Sequence, residues 1–122
     1  MNNVETILHA LRELRVPPQP EEYEIHDMIA HTLTAAGIAF EHEYRLSSKS
    51  RIDFFCDGIG IEVKKSRPDA LRLRAQLERY LESPRLDCVI VVMQRPCRLP
   101  AQLCGKPVFT LSLNRLWGVA LP

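Results

Sequence analysis

The stretch RIDFFCDGIGIEVKK, residues 51–65, constrains this chain most tightly, because it fixes a strand pairing without reference to the rest of the fold. Asp57-Gly58 is a favoured pair for a two-residue hairpin turn, in which both central residues take φ > 0. With these residues at the turn, paired positions sum to 115, so Asp53 faces Glu62, Arg51 faces Lys64 and Phe55 faces Gly60. Period-two alternation then expects all six on one sheet face.

Directly opposed side chains stand about 4.5–5.5 Å apart at Cβ, where like charges repel. Two carboxylates at that spacing, inside the apolar runs IDFF and IGIEV, need a compensating positive charge. A hard divalent cation, Mg²⁺ or Mn²⁺, is satisfied by one or two carboxylates together with water and phosphate oxygens. Lys64 reaches the same place as a movable point charge able to orient or acidify an attacking water. Gly60 opposite Phe55 leaves space above the sheet for a ligand. The competing reading is a solvated sheet face with Lys64 as an ion-pair partner; the apolar flanks and Phe55 on the charged face weigh against it.

Around the hairpin the pattern alternates between helical and extended segments. Val4, Ile7, Leu8, Leu11 and Leu14 fall at helical spacing, and Pro17, Pro18 and Pro20 stop that helix. Residues 1–20 read as a helical arm and proline linker that packs on the domain, caps a partner or forms a homodimer contact, and residues 21–122 as the domain itself. A second helix is expected from Glu21 to Ala36, with Gly37 at its terminating position, followed by a strand through IAFEHEYRL and the polar turn SSKS. A third helix is expected from Arg67 to Glu82, started by a capping box of Ser66 and Asp69. LDCVIVVMQ, nearly continuous in apolar residues, reads as a central strand covered on both faces, and PVFTLSL as the last strand. The order predicts an α/β or α+β sandwich with a mixed sheet, the strand after the third helix joining in parallel.

Composition excludes several classes. The 122 residues suit one compact domain, and no apolar run reaches the length of a membrane span, so no membrane partner is expected. The first residues carry no signal-type apolar block, and a cytoplasmic location is the default expectation. Cys56, Cys88, Cys97 and Cys104 lack the C-x-x-C spacing of structural zinc sites and read as reduced thiols. A net charge of +1 places any polyanion binding in a local patch.

The ordered set RIDF, GIEVKK, a helix carrying Gln76 and Tyr80 in AQLERY, and the apolar strand DCVIVVM resembles the PD-(D/E)XK nuclease superfamily over roughly residues 21–94. The resemblance implies a restriction-endonuclease-like core, with a mixed sheet of four to five strands flanked by helices. It implies that Asp53 and Glu62 bind the catalytic metal, that Lys64 assists the nucleophilic water, and that Gln76 and Tyr80 line the site. Ile52 stands where the motif has its leading proline. Such nucleases often add an acidic residue from the helix before the first strand, which makes Glu22, Glu24 and His26 candidate ligands, Glu22 foremost. Lys65, Arg67, Arg72, Arg74 and Arg79 form the densest basic stretch and are candidate phosphate contacts. The function expected is metal-dependent hydrolysis of DNA, structure-specific or nonspecific. The rival expectation is a catalytically silent module that keeps the fold for nucleic-acid or protein binding.

Overall fold

The computed structural model describes residues 4–113. Its elements run α1 (Val4–Leu11), α2 (Glu22–Ala35), β1 (Glu41–Arg45), β2 (Arg51–Cys56), β3 (Ile59–Lys64), α3 (Ala70–Leu81), β4 (Cys88–Met93), β5 (Gln102–Leu103) and β6 (Lys106–Ser112). The six strands form one mixed sheet in the order β1-β2-β3-β4-β6-β5. β1, β2 and β3 are an antiparallel meander, while β4 joins β3 in parallel and β6 joins β4 in parallel. The strand beyond the expected four to five is β5, which makes a short hairpin with β6 through Cys104 and Gly105, at φ 55 and 73.

The expected termini hold where a local device sets them. α2 ends as Gly37 turns to φ 74, and the Ile38 N–H returns to the Leu33 carbonyl at 2.9 Å. α3 begins later than the expected Arg67, because a helical Arg67 would conflict with the ring of Pro68. Asp69 alone caps it, accepting the Arg72 N–H at 3.1 Å, and Ser66 lies outside the helix.

Helices cover both faces of the sheet, and β4 shows why its sequence is apolar throughout. Cys88, Ile90 and Val92 pack in a cluster with Ile7 and Leu11 of α1 and Ile25, Ile29 and Leu33 of α2. Val89, Val91 and Met93 pack in the opposite cluster with Leu73, Leu77 and Leu81 of α3. All six β4 residues are buried.

The segment expected as a separable arm belongs to this core. Ile7, Leu8, Leu11 and Leu14 are buried within their own chain, with Val16 of the connector in the same cluster. The apolar stripe that suggested a homodimer contact is therefore covered intramolecularly. Among the described residues, no helix is long and apolar enough to cross a membrane.

Candidate metal centre between β2 and β3

The hairpin has the register set by its turn: Asp57 and Gly58 take φ 47 and 89, and Cys56 pairs with Ile59, Phe55 with Gly60 and Phe54 with Ile61. The ladder stops at that last pair, one step short of Asp53 and Glu62. Beyond it, side chains replace the regular backbone bonds between the strands. The Val63 N–H donates to Asp53 Oδ2 at 2.8 Å, and the Asp53 N–H points to Glu62 Oε1 at 3.4 Å.

The expected single face for Arg51, Asp53 and Phe55 does not survive. Ile52 packs with the α3-side cluster, as does Phe55, whereas Phe54 packs with the cluster of α1 and α2. The neighbouring strand switches at the same level: His42 stacks on Phe54 and Tyr44 stacks on Phe55, although His42 and Tyr44 are two residues apart. Between them Glu43 adopts φ 55, a left-handed conformation that breaks strand alternation. Asp53 sits at the switch and turns toward α2, bringing its Oδ2 within 3.7 Å of His26 Nε2.

Glu62 extends into the α3 layer and is 4% exposed. The Tyr80 hydroxyl lies 3.3 Å from Glu62 Oε2 and 3.1 Å from the Arg51 carbonyl, so it can donate to either oxygen. Lys64 Nζ lies 3.4 Å from the same Oε2. Burial, reinforced by the Asp53 charge, pushes the Glu62 carboxyl up to about 7, against the smaller opposing effect of Lys64. Burial also raises Asp53, opposed by the Val63 N–H and His26. Burial and the two carboxylates raise the Tyr80 phenol, which keeps it a donor.

The three candidates on α2 separate clearly. Glu22 Oε2 is 3.7 Å from His26 Nε2, one turn along the helix. Glu24 instead accepts the Glu21 N–H at 2.7 Å, so its carboxylate serves the helix start. His26 is 8% exposed, and its Nε2 is a buried polar atom with no hydrogen-bond partner among the described residues. That nitrogen, facing Glu22 and Asp53, is the polar atom a cation would satisfy. Adjacent donor atoms on an octahedral ion stand about 3 Å apart, so the His26–Glu22 and His26–Asp53 pairs, each at 3.7 Å, need to close by less than about 1 Å.

Outside the carboxylates, a cleft of about 440 Å³ is lined by Lys64, Pro68, Asp69, Arg72, Leu73, Gln76 and Arg79. It gathers Gln76 with two of the five candidate phosphate contacts, Arg72 and Arg79. Arg79 also borders a second cleft with Lys49, a residue the sequence did not single out because it lies in the remote SSKS turn. The remaining candidates face elsewhere: Lys65 lies 3.9 Å from Glu21, Arg74 lies 3.9 Å from Glu78, and Arg67 is exposed outside the cleft lining.

His42 also escaped sequence reasoning as a site residue. Its Nε2 lies 2.8 Å from His26 Nδ1, a contact across 16 residues that no local pattern announces. His26, His42 and Glu43 also form a cluster whose donor atoms lie within 4.8 Å of one another. Comparison with protein-family models, curated proteins and solved structures finds no match, so the geometry carries the functional reading.

Proposed function

We propose that the protein is a divalent-metal-dependent nuclease acting on DNA, with a restriction-endonuclease-like core of the PD-(D/E)XK type. The observation that carries this reading is the break in strand pairing beside Asp53. There the β2–β3 ladder gives way, and buried Glu62 with Lys64 beside it adjoins half-buried Asp53, which faces the His26 nitrogen that has no partner among the described residues. A sheet that needed only stability would fill this place with apolar side chains.

Asp53, Glu62, Glu22 and His26 are the residues that would hold Mg²⁺ or Mn²⁺. When bound, the cation supplies the charge that polarises a phosphate oxygen and lowers the pKa of a bound water. Asp53 and Glu62 are already oriented for this by the Val63 N–H and the Tyr80 hydroxyl. Lys64 stands between Glu62 and the basic cleft, where its ammonium orients the attacking water and stabilises charge developing on the phosphate. Arg72 and Arg79 hold the nucleic-acid backbone by charge, contacts that position a strand without reading its bases. Gln76, in the same cleft lining, adds an uncharged hydrogen-bonding group.

The test is a cleavage panel of single-stranded, duplex, flapped and four-way-junction DNA with Mg²⁺, Mn²⁺ or EDTA. Metal-dependent cutting of at least one substrate, lost in Asp53→Asn, is expected. DNA binding without cutting under every metal condition would favour a noncatalytic module instead.

A further inference from the structure

His42 lies outside the proposed metal-holding set, yet it makes the hydrogen bond that holds His26. The His26 Nδ1 to His42 Nε2 distance is 2.8 Å, and the two rings meet edge to face. His42 is itself fixed from below by stacking on Phe54, with centroids 4.7 Å apart and planes inclined by 28°. Phe54 also packs against the His26 ring. The three rings therefore set the direction in which His26 Nε2 points, toward Asp53 Oδ2 and Glu22 Oε2, each 3.7 Å away.

A metal-binding histidine usually donates its second nitrogen to a carboxylate or carbonyl, which permanently fixes the proton on that nitrogen. Such a partner here would leave a bare Nε2 lone pair facing two carboxylates whenever no cation is present. An imidazole partner differs, because its nitrogen can either donate or accept. We propose that His42 is a positioning residue for the metal centre: it holds His26 in place and lets His26 exchange tautomers as the cation enters. This inference rests on the proposed metal centre.

In the metal-free protein His26 carries its proton on Nε2, toward the carboxylates, and accepts from His42 Nε2–H. In the metal-loaded protein the His26 Nε2 proton has left to solvent, and His26 Nδ1 has taken the proton of His42 Nε2. His42 Nδ1, on the exposed side chain, has taken one from solvent. The proton count of the pair is unchanged, and the 2.8 Å bond persists in both states with its direction reversed.

The test combines long-range ¹H–¹⁵N spectra of the histidine rings, with and without Zn²⁺ as a diamagnetic probe, and calorimetric titration with Mn²⁺. The spectra are expected to show the His26 proton on Nε2 without metal and on Nδ1 with it. His42→Phe keeps a ring on Phe54 but removes the partner, and it is expected to bind Mn²⁺ about 10–100-fold more weakly. His42→Gln, whose amide can also donate or accept, should recover most of that loss. An unchanged His26 tautomer in wild type, or wild-type affinity in a folded His42→Phe, overturns the role of His42 while leaving the metal centre standing. No uptake of either ion by wild type overturns both.

Discussion

Replacing Glu62 by Gln isolates the electrostatic cost of keeping this carboxylate buried beside Asp53. In the metal-free fold Glu62 is pushed from its ordinary 4.5 to about 7, first by burial and then by the Asp53 charge. The folded state therefore binds more protons than the unfolded chain between those two values, and stability falls as pH rises through that window. The gap corresponds to at most about 3 kcal/mol, fully expressed above the upper value. Gln cannot ionise, and its shape fits: its carbonyl can accept the Asp53 N–H while its NH₂ faces the Tyr80 oxygen, and the partly exposed Lys64 ammonium turns from that NH₂ to solvent. Tyr80 can then donate to the Arg51 carbonyl, already 3.1 Å away. The variant should match wild type near about pH 4 and exceed it near about pH 8 by up to about 3 kcal/mol. For a chain of this size that is about 10 °C in melting temperature. Thermal unfolding followed by circular dichroism in EDTA at both pH values measures it. A variant less stable than wild type at the higher pH, or a difference independent of pH, would refute the reasoning.

Lys64→Ala is expected to slow cleavage by about two to four orders of magnitude while changing Mn²⁺ affinity less, because the lysine acts on water and phosphate. Parallel single-turnover kinetics and calorimetry check this, and loss of metal binding together with the fold would make Lys64 a structural partner. Deleting residues 1–16 should expose Ile25, Ile29 and their neighbours and give an aggregating protein; a soluble folded chain in light scattering would contradict the packing of α1. The space expected above Gly60 for a ligand is filled by Ile52 and Leu86, so Gly60→Ala places a methyl group against Ile52 Cδ1 and within 3.2 Å of Leu86, and should cost about 1–3 kcal/mol in chemical denaturation. Neutral behaviour there would mean that Ile52 shifts freely.

What could be read from the sequence was what short-range geometry controls. The Asp57-Gly58 turn set the hairpin register, Gly37 set the end of α2, and the apolar run of β4 reported burial on both faces. The alternation argument failed at Asp53 because it assumes continuous strands, whereas Glu43 at φ 55 and the end of the ladder at Phe54 interrupt them together. The His26–His42 bond was hidden for another reason: it depends on how α2 lies across β1 and β2, which is a property of the packed chain. The fate of α1 was equally tertiary, since the same apolar stripe could be buried by its own domain or by another molecule.

The most direct measurement of the metal centre is anomalous diffraction from crystals soaked in Mn²⁺. The account predicts a peak bounded by Asp53, Glu62, Glu22 and His26 Nε2 that disappears in Asp53→Asn crystals under the same soak. A well-soaked crystal with no density there, or a Mn²⁺ ion held only by His42 and Glu43, would contradict it.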